Sequence, residues 1–191
     1  MLALSKLNLV ALVELFVCWF AWILAFVQPR RLAGGKERVE TAYASRLGVF
    51  VVMCGFGCIW AYIRPAGFTK TMWELVASMA LGPPSVLLAW SAARHLGKQW
   101  RFEAAVNADH ELVRTGPYRM IRHPIYCSML GMLLTTGLAW TWWPLMVAGI
   151  LLFLIGTEIR VRAEEGLLAR HFGEEFWEYK LRTRAYLPFL R

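Results

Sequence analysis

The sequence predicts an all-α integral membrane protein with about five transmembrane helices, an N-terminus outside and a C-terminus in the cytoplasm. Three observations carry this. The hydrophobic fraction is 58%, against roughly 45–50% in soluble domains. The apolar residues fall in runs of about 20, the length a helix needs to cross a bilayer at about 1.5 Å per residue. The basic residues gather on one of the two faces that those runs define.

The 191 residues suit one domain. The N-terminus lacks the basic region, short apolar core and small-residue cleavage site of a signal peptide, so the first apolar run is expected to stay in the bilayer. The predicted spans are Leu7–Val27, Leu47–Ile63, Met72–Ala93, Pro124–Trp142 and Trp143–Val161. Pro83 and Pro84 interrupt the third, where each proline removes a helical hydrogen bond and a kink is expected. Gly55 and Gly57 in the second span, and Gly131 and Gly137 in the fourth, are expected to allow close helix packing.

Of the 21 Lys and Arg residues, only Lys6, Arg64 and Lys70 fall on one side of this arrangement. The positive-inside rule makes the other side cytoplasmic. The net charge of +8 then reflects orientation and attraction to anionic lipid heads, and calls for no nucleic-acid partner. Cys18, Cys54, Cys58 and Cys127 all lie in predicted spans without accompanying histidines or acids. They read as small packing residues, with no disulfide framework and no metal site. Glu14 is a charge inside the first span, a costly placement that is often functional. Glu74, near a span end, needs less explanation.

The polar material lies in two places. The first runs from Arg94 to His123 and contains Trp100, Arg101, Phe102, Glu103, Asp109, His110 and Glu111. It is either a solvated connector or the wall of a cofactor site. At its end, Gly116-Pro117 reads as a turn. His123 precedes a proline and should not be helical, while Pro124 suits the first helical position. The amides of Ile125, Tyr126 and Cys127 would then be free at a helix N-terminus and suit an anion. Arg119, Arg122 and His123 read equally as positive-inside anchors, and Tyr118 and Tyr126 as interfacial aromatics.

The second place ends the fifth span. Arg160 and Glu164, four apart, share a helix face, and Glu158, Arg162 and Glu165 decorate the same end. They are salt bridges on an emerging helix, or a site in which Glu164 holds a cationic or hydroxyl group and Arg160 an anionic one. Leu167 to Tyr179 reads as a short amphipathic helix on the membrane surface, with Phe172, Phe176 and Tyr179 as packing residues. These features divide the chain into 1–93, three spans on the substrate side, and 94–191, the connector, two spans and the amphipathic helix.

The ordered series Leu96-Gly97, Trp100, His110-Glu111-Leu112-Val113, Gly116-Pro117-Tyr118 and Arg122-His123-Pro124-Ile125-Tyr126 continues with Arg160, Glu164-Glu165, Phe172-Gly173-Glu174-Glu175-Phe176, Tyr179 and Leu187-Pro188-Phe189. It resembles the isoprenylcysteine carboxyl methyltransferase family and its phospholipid N-methyltransferase relatives, membrane enzymes that use S-adenosylmethionine. The resemblance runs from Leu96 to Pro188. It implies that His110, Leu112, Val113, Tyr118, His123, Pro124, Tyr126 and Glu164 bind S-adenosyl-L-methionine. It further implies that Arg160 binds substrate and that Arg160 and Tyr126 take part in catalysis. A family glutamine falls at Glu103, which leaves that contact open.

The chemistry implied is direct displacement at the sulfonium methyl by a lipophilic or lipidated acceptor. It would take place at the cytoplasmic face, in an inner membrane if the chain is like the compact prokaryotic members, with membrane lipids as neighbours and no nucleic acid. Carboxyl O-methylation of an isoprenylcysteine-type substrate is the leading expectation, followed by phospholipid N-methylation and thiol S-methylation. A sterol-type reductase using NADPH and a non-catalytic scaffold are the rivals.

Overall fold

The computed structural model describes residues 2–27, 38–41, 44–61, 63, 65–99, 105–107 and 111–186. The helical architecture expected from the sequence is present. The helices are α1 (Leu2–Leu24), α2 (Ala44–Trp60), α3 (Met72–Leu96), α4 (Pro124–Trp140), α5 (Trp143–Phe172) and α6 (Glu174–Arg182), with 3-10 turns at Gly97–Gln99 and Gly116–Arg119. One short addition is an antiparallel ribbon of β1 (Arg38–Thr41) and β2 (Ala105–Asn107). The polar connector after α3 is therefore partly structured rather than a bare loop.

Segments Lys6–Leu24, Met72–Gln99 and Trp143–Phe172 are long and apolar enough to cross a membrane. The helices Ala44–Trp60 and Pro124–Trp140 are apolar but only 17 residues long, at the lower limit of about 17–25 for a span. Large apolar side chains such as Val13, Phe20, Phe50, Leu87 and Leu151 face outward, which in water would be a liability and in lipid is the favourable surface.

Two segments differ from the sequence expectation. The helix α5 does not stop near Val161 but runs to Phe172. The predicted amphipathic helix over Leu167–Tyr179 is instead split at Gly173, whose φ of 54° lies in the left-handed region that glycine tolerates. Phe172 ends α5, while Phe176 and Tyr179 are buried on α6. In α3 the helix continues through Pro83 and Pro84. Just beyond them the Ser85 hydroxyl donates to Leu81 O at 2.7 Å.

Buried Val52, Ile59, Leu133 and Phe153 form the core that joins α2, α4 and α5. Tryptophans tie α1 to its neighbours: Trp19 Nε1 donates to Thr136 Oγ1 at 3.0 Å and Trp22 Nε1 to Ser128 Oγ at 3.2 Å. Trp90 Nε1 donates to Ala21 O at 2.8 Å. At the end away from the polar clusters, buried Lys70 pairs with Glu74 at 3.0 Å and donates to Gly137 O at 3.1 Å.

The helix α2 packs tightly on α5. A Cβ on Gly48 would lie 2.7 Å from Gly156 O and 2.6 Å from Arg160 Cγ. A Cβ on Gly55 would lie 2.8 Å from Gly149 O. Gly131 and Gly137 are likewise crowded, by Ser85 and Met146, but Gly57 faces open space and packs against nothing within 4 Å. Gly48→Ala should therefore cost about 1–3 kcal/mol through overpacking and lower the melting temperature in detergent, whereas Gly57→Ala should leave it unchanged or raise it slightly through helix propensity. Equal melting temperatures would refute this seam.

Candidate functional site

The site forms where the start of α4 meets the polar C-terminal half of α5. Gly116, at φ 59°, opens the 3-10 turn that leads there, and a Cβ at that position would overlap the His95 ring. The following strand-like stretch is held by the C-terminal segment: Arg122 N donates to Arg184 O at 2.7 Å and His123 N to Ala185 O at 3.0 Å. His123 is not helical (φ −125°, ψ 58°), and Pro124 begins α4. The expected trio of free amides is reduced by one, because Cys127 N donates to His123 O at 3.3 Å.

Glu164 and Glu165 are adjacent on α5, about 100° apart around the helix, and they serve two separate networks. Glu164 faces α4. Its Oε1 accepts a hydrogen bond from the Tyr126 hydroxyl and one from Arg160 Nη2 at 3.2 Å. Arg160 Nε donates to the Tyr126 oxygen at 2.7 Å, and the guanidinium carbon stands 5.6 Å from that ring's centre. Gly48 leaves the room in which the Arg160 stem crosses α2.

Glu165 faces inward and is 4% exposed. Its carboxylate accepts from Arg122 Nε at 2.9 Å, Lys180 Nζ at 2.7 Å and His123 Nε2 at 3.3 Å. Burial opposes its ionisation, but the hydrogen bonds from His123, Lys180 and Arg122 prevail and hold the carboxyl well below the usual range. Arg122 also donates to Lys180 O at 3.2 Å and to Thr183 O. This hub fastens α6 and the chain after it to the start of α4.

His123 joins the two networks. Its Nδ1 lies 3.9 Å from Glu164 Oε2, and its ring packs between Tyr126 and Tyr186 at 5.8 and 6.1 Å. Tyr118 is buried, and its carbonyl accepts from the Tyr179 hydroxyl at 2.6 Å. Burial pushes the Tyr179 phenol up to about 12, so it stays a donor at neutral pH.

The structure thus brings His123, Pro124, Tyr126, Arg160 and Glu164 together, with Tyr118 alongside. Leu112 and Val113 are half-buried in the extended segment before the turn and enter none of these bonds. His110 and Glu103 lie outside the described residues, as do Trp100 and Leu187-Pro188-Phe189. Sequence reasoning treated Arg122 as a surface anchor and Glu165 as decoration. The signal for the second role was the immediate neighbour of Glu164: two carboxylates on successive helix positions cannot face the same partner.

S-adenosylmethionine combines a sulfonium and an ammonium with a carboxylate and sugar hydroxyls. The residues fit such a group. The Glu164 carboxylate is partly exposed, and among the described residues its Oε2 has His123 Nδ1 nearby at 3.9 Å. The rings of Tyr126 and Tyr186 pack against neighbouring His123, and aromatic faces suit a cation.

Residues 84–170 match the model of the isoprenylcysteine carboxyl methyltransferase family. The nickel-cobalt-cadmium resistance protein NccN of Alcaligenes xylosoxydans xylosoxydans is 41% identical over 147 residues, covering 75% of this chain. The chain spans 64% of that relative's length. The cobalt-zinc-cadmium resistance protein CzcN of Cupriavidus metallidurans is 39% identical over 167 residues, which is 85% of this chain and 73% of the relative.

Proposed function

The chain belongs to the isoprenylcysteine carboxyl methyltransferase family, and from that premise we propose that it transfers a methyl group from S-adenosylmethionine to a lipophilic acceptor at the cytoplasmic face of a membrane crossed by α1–α5. The observation that carries this is the Arg160–Tyr126–Glu164 cluster, which sets a cation and an anion side by side across one phenol hydroxyl.

When bound, the cofactor supplies an electrophilic methyl carbon, so that an acceptor oxygen's lone pair forms the new C–O bond while the C–S pair leaves on sulfur. Glu164 holds the cationic side of the cofactor. The Tyr126 ring and hydroxyl fix that carboxylate's position, and His123, anchored by Glu165, closes the far side. Tyr118, Pro124, Leu112 and Val113 contribute walls, and the family pattern assigns a cofactor contact to His110 as well. Arg160 takes the anionic group of the acceptor, which its planar fork suits. A carboxylate acceptor is already ionised at neutral pH, so the chain's part is to bind, align and exclude water. An amine or thiol would need a base, and Tyr126 and Glu164 are already bonded to each other. The division into 1–93 for the acceptor's lipid portion and 94–191 for the cofactor follows from this reading.

Calorimetric titration of detergent-purified protein with S-adenosylmethionine and with NADPH tests it. Binding of the first alone is expected. NADPH binding alone would instead support the sterol-type reductase. The relatives' names favour one further reading, a contribution to metal resistance through the same methyl transfer. Growth of a deletion strain on graded cobalt should then be restored by the wild-type gene and not by one carrying Glu164→Ala.

A further inference from the structure

Tyr186 belongs to none of the motifs in the sequence, and the family resemblance resumes one residue later, at Leu187. The fold nevertheless sets it against the site. A parallel bridge between Ile121 and Arg184 lays the chain after α6 alongside the entry to α4. Arg122 N donates to Arg184 O and His123 N to Ala185 O, and Ala185 is fully buried. Two residues on in the same register, where side chains return to one face, Tyr186 lies beside His123 with ring centres 6.1 Å apart.

The two rings that flank His123 are held in the same way. The Tyr126 hydroxyl donates to Glu164, and the Tyr186 hydroxyl donates to Glu158 Oε2 at 3.1 Å. Both glutamates stand on α5, six residues apart, or about 9 Å along the axis. A phenol donating to a carboxylate makes a charge-assisted bond, stronger than one between neutral groups. Glu158 is itself oriented, because its Oε1 accepts from Arg162 Nε at 2.8 Å. The i, i+4 pair of Glu158 and Arg162 thus has a third member that helical spacing does not announce.

His123 needs this bracketing. Its backbone is not helical, and its side chain makes no capping bond to α4. The contact of Nε2 with Glu165 Oε1 at 3.3 Å holds one nitrogen but leaves the ring able to tilt about that contact. The tilt decides whether Nδ1 points at Glu164 Oε2, 3.9 Å away. The rings of Tyr126 and Tyr186, inclined 34° and 43° to the His123 plane, fix it from two directions.

We propose that Tyr186 is a positioning residue of the cofactor site: pinned by Glu158, it holds the His123 ring toward Glu164. The proposal rests on the methyltransferase reading above and goes beyond it by making cofactor affinity depend on the segment after α6. Tyr186 acts through His123, and Glu158 acts through Tyr186.

The test uses the full chain in detergent, with S-adenosylmethionine binding measured by calorimetry and the His123 carbon-bound ring protons followed by NMR, assigned by their loss in His123→Gln. Tyr186→Phe and Glu158→Ala each remove the pinning bond and keep both aromatic rings. Each should weaken binding about three- to tenfold and move the His123 signals. Because they break one and the same contact, the double variant should be no weaker than either single one. Glu158→Gln, whose amide oxygen still accepts from the phenol, should bind within about twofold of wild type. A wild type that binds while Tyr186→Phe and Glu158→Ala bind equally well overturns the positioning role. Weakened binding with unmoved His123 signals also overturns it, since Tyr186 would then act without His123. A wild type that binds no S-adenosylmethionine overturns the methyltransferase reading, and this inference with it.

Discussion

Glu165→Ala should lower the protein's stability more than any other single change at this end of the bundle, by about 3–5 kcal/mol. It would leave Arg122 and Lys180 buried or half-buried around a missing carboxylate, with side chains only 5% and 29% exposed. Removing one partner of a buried pair costs far more than the pair itself contributes, because the remaining charge loses its compensation. For a chain of this size the shift in melting temperature is on the order of 10 °C. Glu165→Gln keeps the shape but not the charge and should fall between. The ordinary carboxyl value is 4.5 and the folded value lies well below it. The contribution is therefore complete above the ordinary value and is lost as pH falls through the folded one. Melting temperature should hold from pH 7 to about 5 and drop below about 4.5, and the drop should shrink in Glu165→Gln. A wild-type and Gln variant that lose stability in parallel on acidification would refute the hub's role.

Glu164→Ala should leave the fold standing and remove cofactor binding. The Glu164 side chain is 22% exposed, and after its loss Arg160 still donates to the Tyr126 oxygen. Deleting a charge that faces a ligand cation costs about 2–5 kcal/mol, which is at least 30-fold in Kd for S-adenosylmethionine. Tyr126→Phe loses two hydrogen bonds, one donated to Glu164 and one accepted from Arg160, together about 1–2 kcal/mol, and should weaken binding about five- to thirtyfold. His123→Ala should combine both effects, because His123 also bonds Glu165. Calorimetry with a melting curve on each variant separates the two. Retained binding in Glu164→Ala, Tyr126→Ala and His123→Ala together would remove the site from this end of α4 and α5.

The adjacency of these two glutamates shows how far the linear pattern reaches. The i, i+4 spacing of Arg160 and Glu164 placed them on one face before any fold was known. Pro124 as the first residue of a helix, and a non-helical His123, followed from backbone sterics alone. What spacing could not convey is which side of an emerging helix would be covered. Glu165 reads as solvent-facing until α6 folds back across it, and that return depends on Gly173 breaking a pattern that otherwise continues helically from Leu167 to Tyr179. The glycines divide in the same way. Gly55, Gly131 and Gly137 pack closely as their presence in spans suggested, whereas Gly57 faces outward, and Gly48, never singled out, sets the position of Arg160.

The sequence by itself determined the membrane character, the helices and the order of the polar motifs, because these depend on local length, hydropathy and backbone preference. The tertiary structure alone decided that α2 lies against Arg160 and that Arg122 and Lys180 turn inward to Glu165. Those contacts join residues from about 15 to more than 100 positions apart, and only the packing of antiparallel helices brings them within reach.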